Sequence, residues 1–186
     1  MFALTAAAIA TVIPVDPLRQ VGFSHFEADE CGALNQLLAA APQAKPLCGR
    51  INAMINGDSF DRPAHALGDG ETLATGRRTL RWLDAPHLPH GWECGYLFEE
   101  STRTLLCGDL FAQGGGTNPA LTEQDILAPS EGFRKALDAY AHADSEQAVL
   151  AKLAATAPTT LACMHGSAWR GDGAGLLKQL AKALAA

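Results

Sequence analysis

Apolar residues crowd positions 3 to 13 and stop at Pro14 and Pro17, which cannot continue a helix, so the start of the chain is expected to be a helix burying an apolar face. The next stretch, "RQVGFSH", reads as a short buried strand that delivers His25 at its C-terminal end. Helical spacing returns in "CGALNQLLAAA", "KPLCG" reads as a strand, and "RINAMING" as a short helix. From residue 63 the period falls to two. "AHALGDGETLATGRRTLRWLDAP" gives strand, Asp-Gly turn, strand, Gly turn and strand, and "WECGYLFEESTRTLLCGDLF" gives a hairpin. Helices come back in "SEGFRKALDAYAHA" and "SEQAVLAKLAAT", and the strand "TTLACMH" leads into a last helix, "AGLLKQLAKALAA". "AQGGGTNPA" is expected to be a mobile surface loop. With no repeat or low-complexity linker, the pattern predicts one α/β domain over residues 1–186, a mixed sheet with helices outside it.

Composition narrows the partners. The chain has 186 residues, 48% hydrophobic and 18% charged, enough for one substantial core. A net charge of −6 and 14 scattered Lys and Arg residues do not make a phosphate-binding face, so no nucleic-acid partner is expected. The cysteines Cys31, Cys48, Cys94, Cys107 and Cys163 are odd in number and form no CxxC pair, which suits a reducing compartment; the cytoplasm is the expected location. The apolar start lacks the basic flank of a secretory signal and is too short to span a bilayer, so no membrane association is expected.

Candidate chemistry lies where strands end. "SHFEADE", "PHLPHGW", "LCGDLF" and "CMHGSAW" each place ligand-type side chains at the start of a loop. In an extended segment alternate side chains point the same way, so His25, Glu27 and Asp29 are expected to face one pocket while Phe26 and Ala28 pack behind. If His90, Asp109 and His165 reach that pocket, the six residues suffice for two metal ions sharing a bridging carboxylate. Three carboxylates with three imidazoles suit iron or manganese better than a thiolate-rich site would, and zinc also accepts them. The bland readings are a solvated acidic loop at residues 25–30 and a turn-capping role for Asp109. Cys31, Cys107 and Cys163 are expected to be small buried core residues. His65 and His142 are read as ordinary surface or packing histidines, and His87 as exposed or supporting. Trp92 and Trp169 wall the pocket or belong to the core, and Ser167 lacks the histidine that would make it a nucleophile.

Taken in order, these segments resemble the metallo-β-lactamase fold, whose hallmark is an HxHxDH loop followed by distant His, Asp and His ligands. Glutamate in the second ligand position resembles the di-iron domain of flavodiiron proteins and related oxygen-binding di-iron proteins, with the pattern HxExDH. The resemblance covers the chain from about residue 13 onward and includes the turn "GDGETL". It implies an αββα sandwich, with His25, Glu27, His90 and bridging Asp109 on one iron and Asp29, Asp109 and His165 on the other. It also favours His90 over His87. Where the family has its last histidine this chain has Glu30, a further candidate ligand whose substitution otherwise leaves the second metal with water or an open position. Only 24 residues precede His25, where the fold usually has additional strands, so the sandwich is expected to be shortened at its N-terminus and to form a homodimer over the exposed edge. No flavodoxin domain or rubredoxin-like pair follows, so a reductase would need an external electron donor.

Three functions fit these residues. The first is a di-iron protein binding or reducing dioxygen or nitric oxide. The second is a zinc metallohydrolase of an ester, thioester or amide, with Asp29 orienting a hydroxide. The third is a non-enzymatic sensor or degenerate scaffold.

Overall fold

The computed structural model describes residues 2–185, so the last position of the expected C-terminal helix lies outside the described residues. The strands form two sheets, as the αββα sandwich implied by the resemblance requires, rather than the single mixed sheet that the hydrophobic pattern alone suggested. Strands β1 (Gln20–Gly22), β2 (Lys45–Gly49) and β3 (His65–Leu67) form a small parallel sheet in that order. Its strands alternate with helices α2 (Ala28–Cys31), α3 (Leu34–Ala40) and α4 (Arg50–Asn56), as the connections between parallel strands require.

The larger sheet has seven strands in the order β4-β5-β6-β7-β9-β10-β8. Strands β4 (Thr72–Thr75), β5 (Arg78–Asp84), β6 (Gly95–Glu99) and β7 (Thr104–Leu106) run as an antiparallel meander. The chain then crosses through β8 (Leu121–Thr122), α5 (Leu127–Leu137) and α6 (Glu146–Ala155) to β9 (Thr160–Ala162), which is parallel to β7. Strand β10 (Ala168–Arg170) and α7 (Gly173–Leu184) complete the order. Strands β8 and β10, two and three residues long, carry too few residues for a period to show in the sequence.

Alternation along the central strands explains why both faces are apolar. On β5 and β6, Leu83, Tyr96 and Phe98 point to a core shared with Leu150 and Leu153 of α6 and Leu177 and Leu180 of α7. Trp82 on β5 points the other way, onto Leu47 and Leu67 of the small sheet, with Leu97 beside it. A third cluster packs Leu34 and Leu38 of α3 against Cys48 and Phe23 on the far side of the small sheet. The layers are therefore helix, sheet, sheet, helix. Trp82 lies so closely over Gly95 of the neighbouring strand β6 that a Cβ there would be 2.3 Å from its ring, so only glycine fits, and on the facing small sheet a Cβ at Gly49 would lie 3.0 Å from the same ring.

The N-terminal reading needs correction. Helix α1 (Phe2–Ala10) forms, but none of its residues is buried, because its apolar side chains are spread around the helix rather than gathered on one face. No helix among the described residues is long and apolar enough to cross a membrane.

Candidate metal centre

The site sits at one end of the sandwich, at the C-terminal ends of parallel strands, where open α/β sheets place their ligands. His25 follows β1, Asp109 follows β7 and His165 follows β9. Because β7 and β9 are parallel neighbours, residues 56 positions apart emerge side by side. His90 comes from the loop between β5 and β6.

His25 is 1% exposed, and its Nε2 lies 3.5 Å from Glu27 Oε2 and 3.6 Å from Asp109 Oδ2. His90 Nε2 lies 3.3 Å from Glu27 Oε1, 3.4 Å from Asp109 Oδ2 and 3.1 Å from His25 Nε2. One donor atom from each of these four residues falls within 4.8 Å of all the others. A second group stands beside the first: His165 Nε2 is 3.2 Å from Asp29 Oδ2 and 3.3 Å from Asp109 Oδ1. Asp109 thus gives one oxygen to each group. All six expected residues are brought together.

Hydrogen bonds at the outer ring nitrogens orient the two central imidazoles. The carbonyl of Ala139 lies 2.8 Å from His90 Nδ1 and can only accept, so a neutral His90 carries its proton there and leaves Nε2 with a lone pair aimed inward. Ser24 Oγ lies 2.8 Å from His25 Nδ1 and holds that ring. The amide of Phe26 donates to Glu93 Oε1 at 3.0 Å, which fixes the turn between His25 and Glu27. Gly108 has φ +46°, and a Cβ there would lie 2.7 Å from Ser24 Oγ, so glycine lets the Asp109 turn pass the serine that supports His25. Ser24 was detectable only as a neighbour of His25, and Glu93 carried no signal, since its contact spans 67 residues.

The donor set fits cations. Asp109 Oδ1 is buried and accepts no hydrogen bond although His165 Nε2 is 3.3 Å away, the arrangement expected when both atoms aim at a third partner. Burial pushes the Asp109 carboxyl up, but the hydrogen bond from His90 and the charges of His25, His165 and His90 outweigh it and hold the group below its usual range. His90 is raised to about 9, chiefly by its hydrogen bond to Asp109, against desolvation.

Several local expectations change. Asp29 lies in the first turn of α2, so it reaches the site by a helical turn rather than by strand alternation. Phe26 and Ala28 are exposed rather than packed behind. Glu30 forms no ion pair with the six; its carboxylate lines a cavity between the sheets with Ser24, Trp82 and Cys163, and its Oε1 is buried without a hydrogen-bond partner. Burial raises the Glu30 carboxyl, His25 opposes the rise and Asp109 adds to it. His87 is exposed, and His142 pairs with Asp138 at 3.3 Å on the surface. Trp92 is 55% exposed, while Trp169 packs against the main core. The Ser167 hydroxyl donates to the Pro119 carbonyl at 2.6 Å and has no base beside it. Cys107 is buried, but Cys31 and Cys163 are only half-buried.

A cavity of about 280 Å³ opens directly onto His90, Asp29, Asp109 and His165. Its far wall is apolar, from Phe133, Leu137 and Ala112, and Tyr140 and Arg134 complete it. The Arg134 guanidinium lies 5.5 Å from the Tyr140 ring centre and pairs with Glu131 at 2.7 Å. The Tyr140 hydroxyl is buried without a well-formed hydrogen bond, and burial raises its pKa.

No family model matches the chain. A curated relative described as diflavin flavoprotein A 1, from Thermosynechococcus vestitus, is 28% identical over 114 residues, covering 59% of this chain and 20% of its own length. The rubredoxin oxygen:oxidoreductase of Desulfovibrio gigas superposes with a TM-score of 0.78 at 19% identity, covering 96% of this chain and 47% of that one. A flavodiiron core from Synechocystis gives 0.82 at 21%, covering 98% and 47%. The chemotaxis sensor ODP of T. denticola, in its apo state, gives 0.76 at 18%, covering 97% and 76%. The chain thus spans a fifth of the curated relative and just under half of the first two structures. It has the metallo-β-lactamase-like αββα fold found in flavodiiron cores.

Proposed function

We propose that the chain is a dinuclear metal protein, holding iron in preference to zinc or manganese, that binds or reduces a small oxidant such as dioxygen or nitric oxide. The observation that carries this reading is the division of Asp109, with Oδ2 beside His25 and His90 and Oδ1 beside His165. His25, Glu27, His90 and Asp109 would hold one ion, and Asp29, Asp109 and His165 the other. A ferrous pair bound there supplies two electrons.

The chain's own residues set the conditions. Three carboxylates offset most of the charge of two divalent ions, which lets the acids cluster in a partly buried pocket. Ser24 and Ala139 hold the His25 and His90 rings in one orientation. Phe133 and Leu137 give the cavity beside the site an apolar wall. The Tyr140 hydroxyl, lacking a well-formed partner, is available to donate a hydrogen bond to an oxidant in the cavity. In the same reading, electrons come from an external donor, and the protein works in the cytoplasm as a homodimer.

The test is metal content after purification without oxygen, with an optical spectrum before and after air. Two irons per chain and an air-sensitive absorption change are the expected result. Zinc with hydrolysis of simple esters would replace this reading with a metallohydrolase, and a chain that takes up no metal on reconstitution would leave a non-enzymatic scaffold.

A further inference from the structure

Cys107 and Cys163 directly follow the neighbouring parallel strands β7 and β9, at their ends nearest the metal centre. The ladder that pairs Leu106 with Ala162 runs on past the ends of β7 and β9. The Cys107 amide donates to the Ala162 carbonyl at 3.1 Å, and the Met164 amide donates to the Gly108 carbonyl at 2.9 Å. Neighbouring strands lie about 4.8 Å apart, within the Cα separation that a disulfide accepts. The two sulfurs are 3.8 Å apart, too far for a bond and close enough for side-chain rotation to make one. Cys107 is fully buried, whereas Cys163 is half-buried and lines a cavity of about 300 Å³ with Ser24, Gly108 and Met164. Asp109 lies two residues beyond Cys107, and His165 two beyond Cys163, so the pair is linked by short stretches of backbone to both halves of the centre.

We propose that Cys107 and Cys163 form a redox-active dithiol that closes to a disulfide and supplies two electrons to the oxidant reduced at the adjacent centre. This rests on the dinuclear reading above. In the net step both S–H bonds break and one S–S bond forms. The two electrons and two protons convert one dioxygen to hydrogen peroxide. An external dithiol reopens the pair by exchange and is itself oxidised to a disulfide.

The experiment counts thiols by mass in the full chain, reduced without oxygen and then exposed to air, in iron-loaded and metal-free forms. In the iron-loaded protein two of the five thiols are expected to disappear, with a Cys107–Cys163 cross-linked peptide forming faster than in the metal-free protein. Cys31→Ser should leave the cross-link in place, and Cys163→Ser should abolish it. Metal-free protein treated with diamide, a chemical thiol oxidant, should close the same pair. Survival of every thiol under diamide overturns the pairing whatever metal the protein holds. Equal closure rates with and without iron overturn the link to the centre. Closure under diamide in a chain that binds no metal would retain the dithiol and reject the dinuclear reading instead.

Discussion

Asp109 stands between the two groups of ligands, and its removal should be felt at both. Asp109→Ala deletes the shared oxygens and leaves the charges of two ions poorly compensated, so occupancy should fall at both positions. Glu27 touches only the His25 and His90 group. Glu27→His exchanges one acceptable donor for another and should move preference from iron toward zinc without emptying the second position; because Glu93 and Ser24 hold the loop for a carboxylate, the switch should be partial. Metal content per chain, loaded in equal iron and zinc without oxygen, reads both effects. Two full metals in Asp109→Ala, or an unchanged ratio in Glu27→His, would reject these roles.

His90 gives the residue scale its pH dependence. In the metal-free protein its folded pKa, about 9, stands above the unfolded value of about 6.5. The protonated ring therefore contributes stability fully below pH of about 6.5, and the contribution is lost as pH rises through about 9. The melting temperature of the metal-free protein should fall across that interval, and metal saturation should remove the fall because the ion occupies the same lone pair. Thermal scans at a series of pH values check this, and a flat profile for the metal-free form would contradict it.

Between elements, the decisive contact is the close stacking of the two sheets. Trp82 on β5 fills the gap between them, and its indole N–H donates to Asp84 Oδ1 at 2.7 Å, which fixes the ring above Gly95. Gly95→Ala would force that ring or the strand to move, at a cost of about 1–3 kcal/mol typical of overpacking. The Gly95 amide also donates to the Ser24 carbonyl at 3.0 Å, so strand displacement should reach the residue that holds His25. A lower urea midpoint together with weaker metal retention is expected. An unchanged midpoint would show that the sheets have slack at this point.

At the scale of the whole molecule, the N-terminal segment leaves apolar surface uncovered. Leu4 is 70% exposed and Val12 88%, and α1 buries none of its residues. Exposed apolar surface of this kind favours association, and a homodimer over this helical face, rather than over the sheet edge the sequence suggested, is the expected outcome. Light scattering should show a mass that doubles with concentration, and the paired change Leu4→Asp with Val12→Asp should return it to the monomer value. A monomer at high concentration would reject the dimer.

The sequence alone determined what depends on local rules. Period-two alternation located β4, β5 and β6, helical spacing located α3, α6 and α7, and strand ends followed by His, Asp or Glu pointed to the ligand-bearing segments, with the family resemblance selecting His90 over His87 among the six residues that converge. These were legible because a side chain's direction in a strand and a helix's apolar face are set within a few residues. Only the tertiary structure decided the rest. The resemblance implied two sheets, but which strands pair in each was decided only by the tertiary structure, because strand partners lie far apart in the chain. It turned Glu30 toward the cavity between the sheets, because Asp29 and Glu30 occupy a helical turn instead of an extended strand. It also placed Cys107 beside Cys163, since the parallel pairing of β7 with β9 is a contact between distant segments that no local pattern encodes.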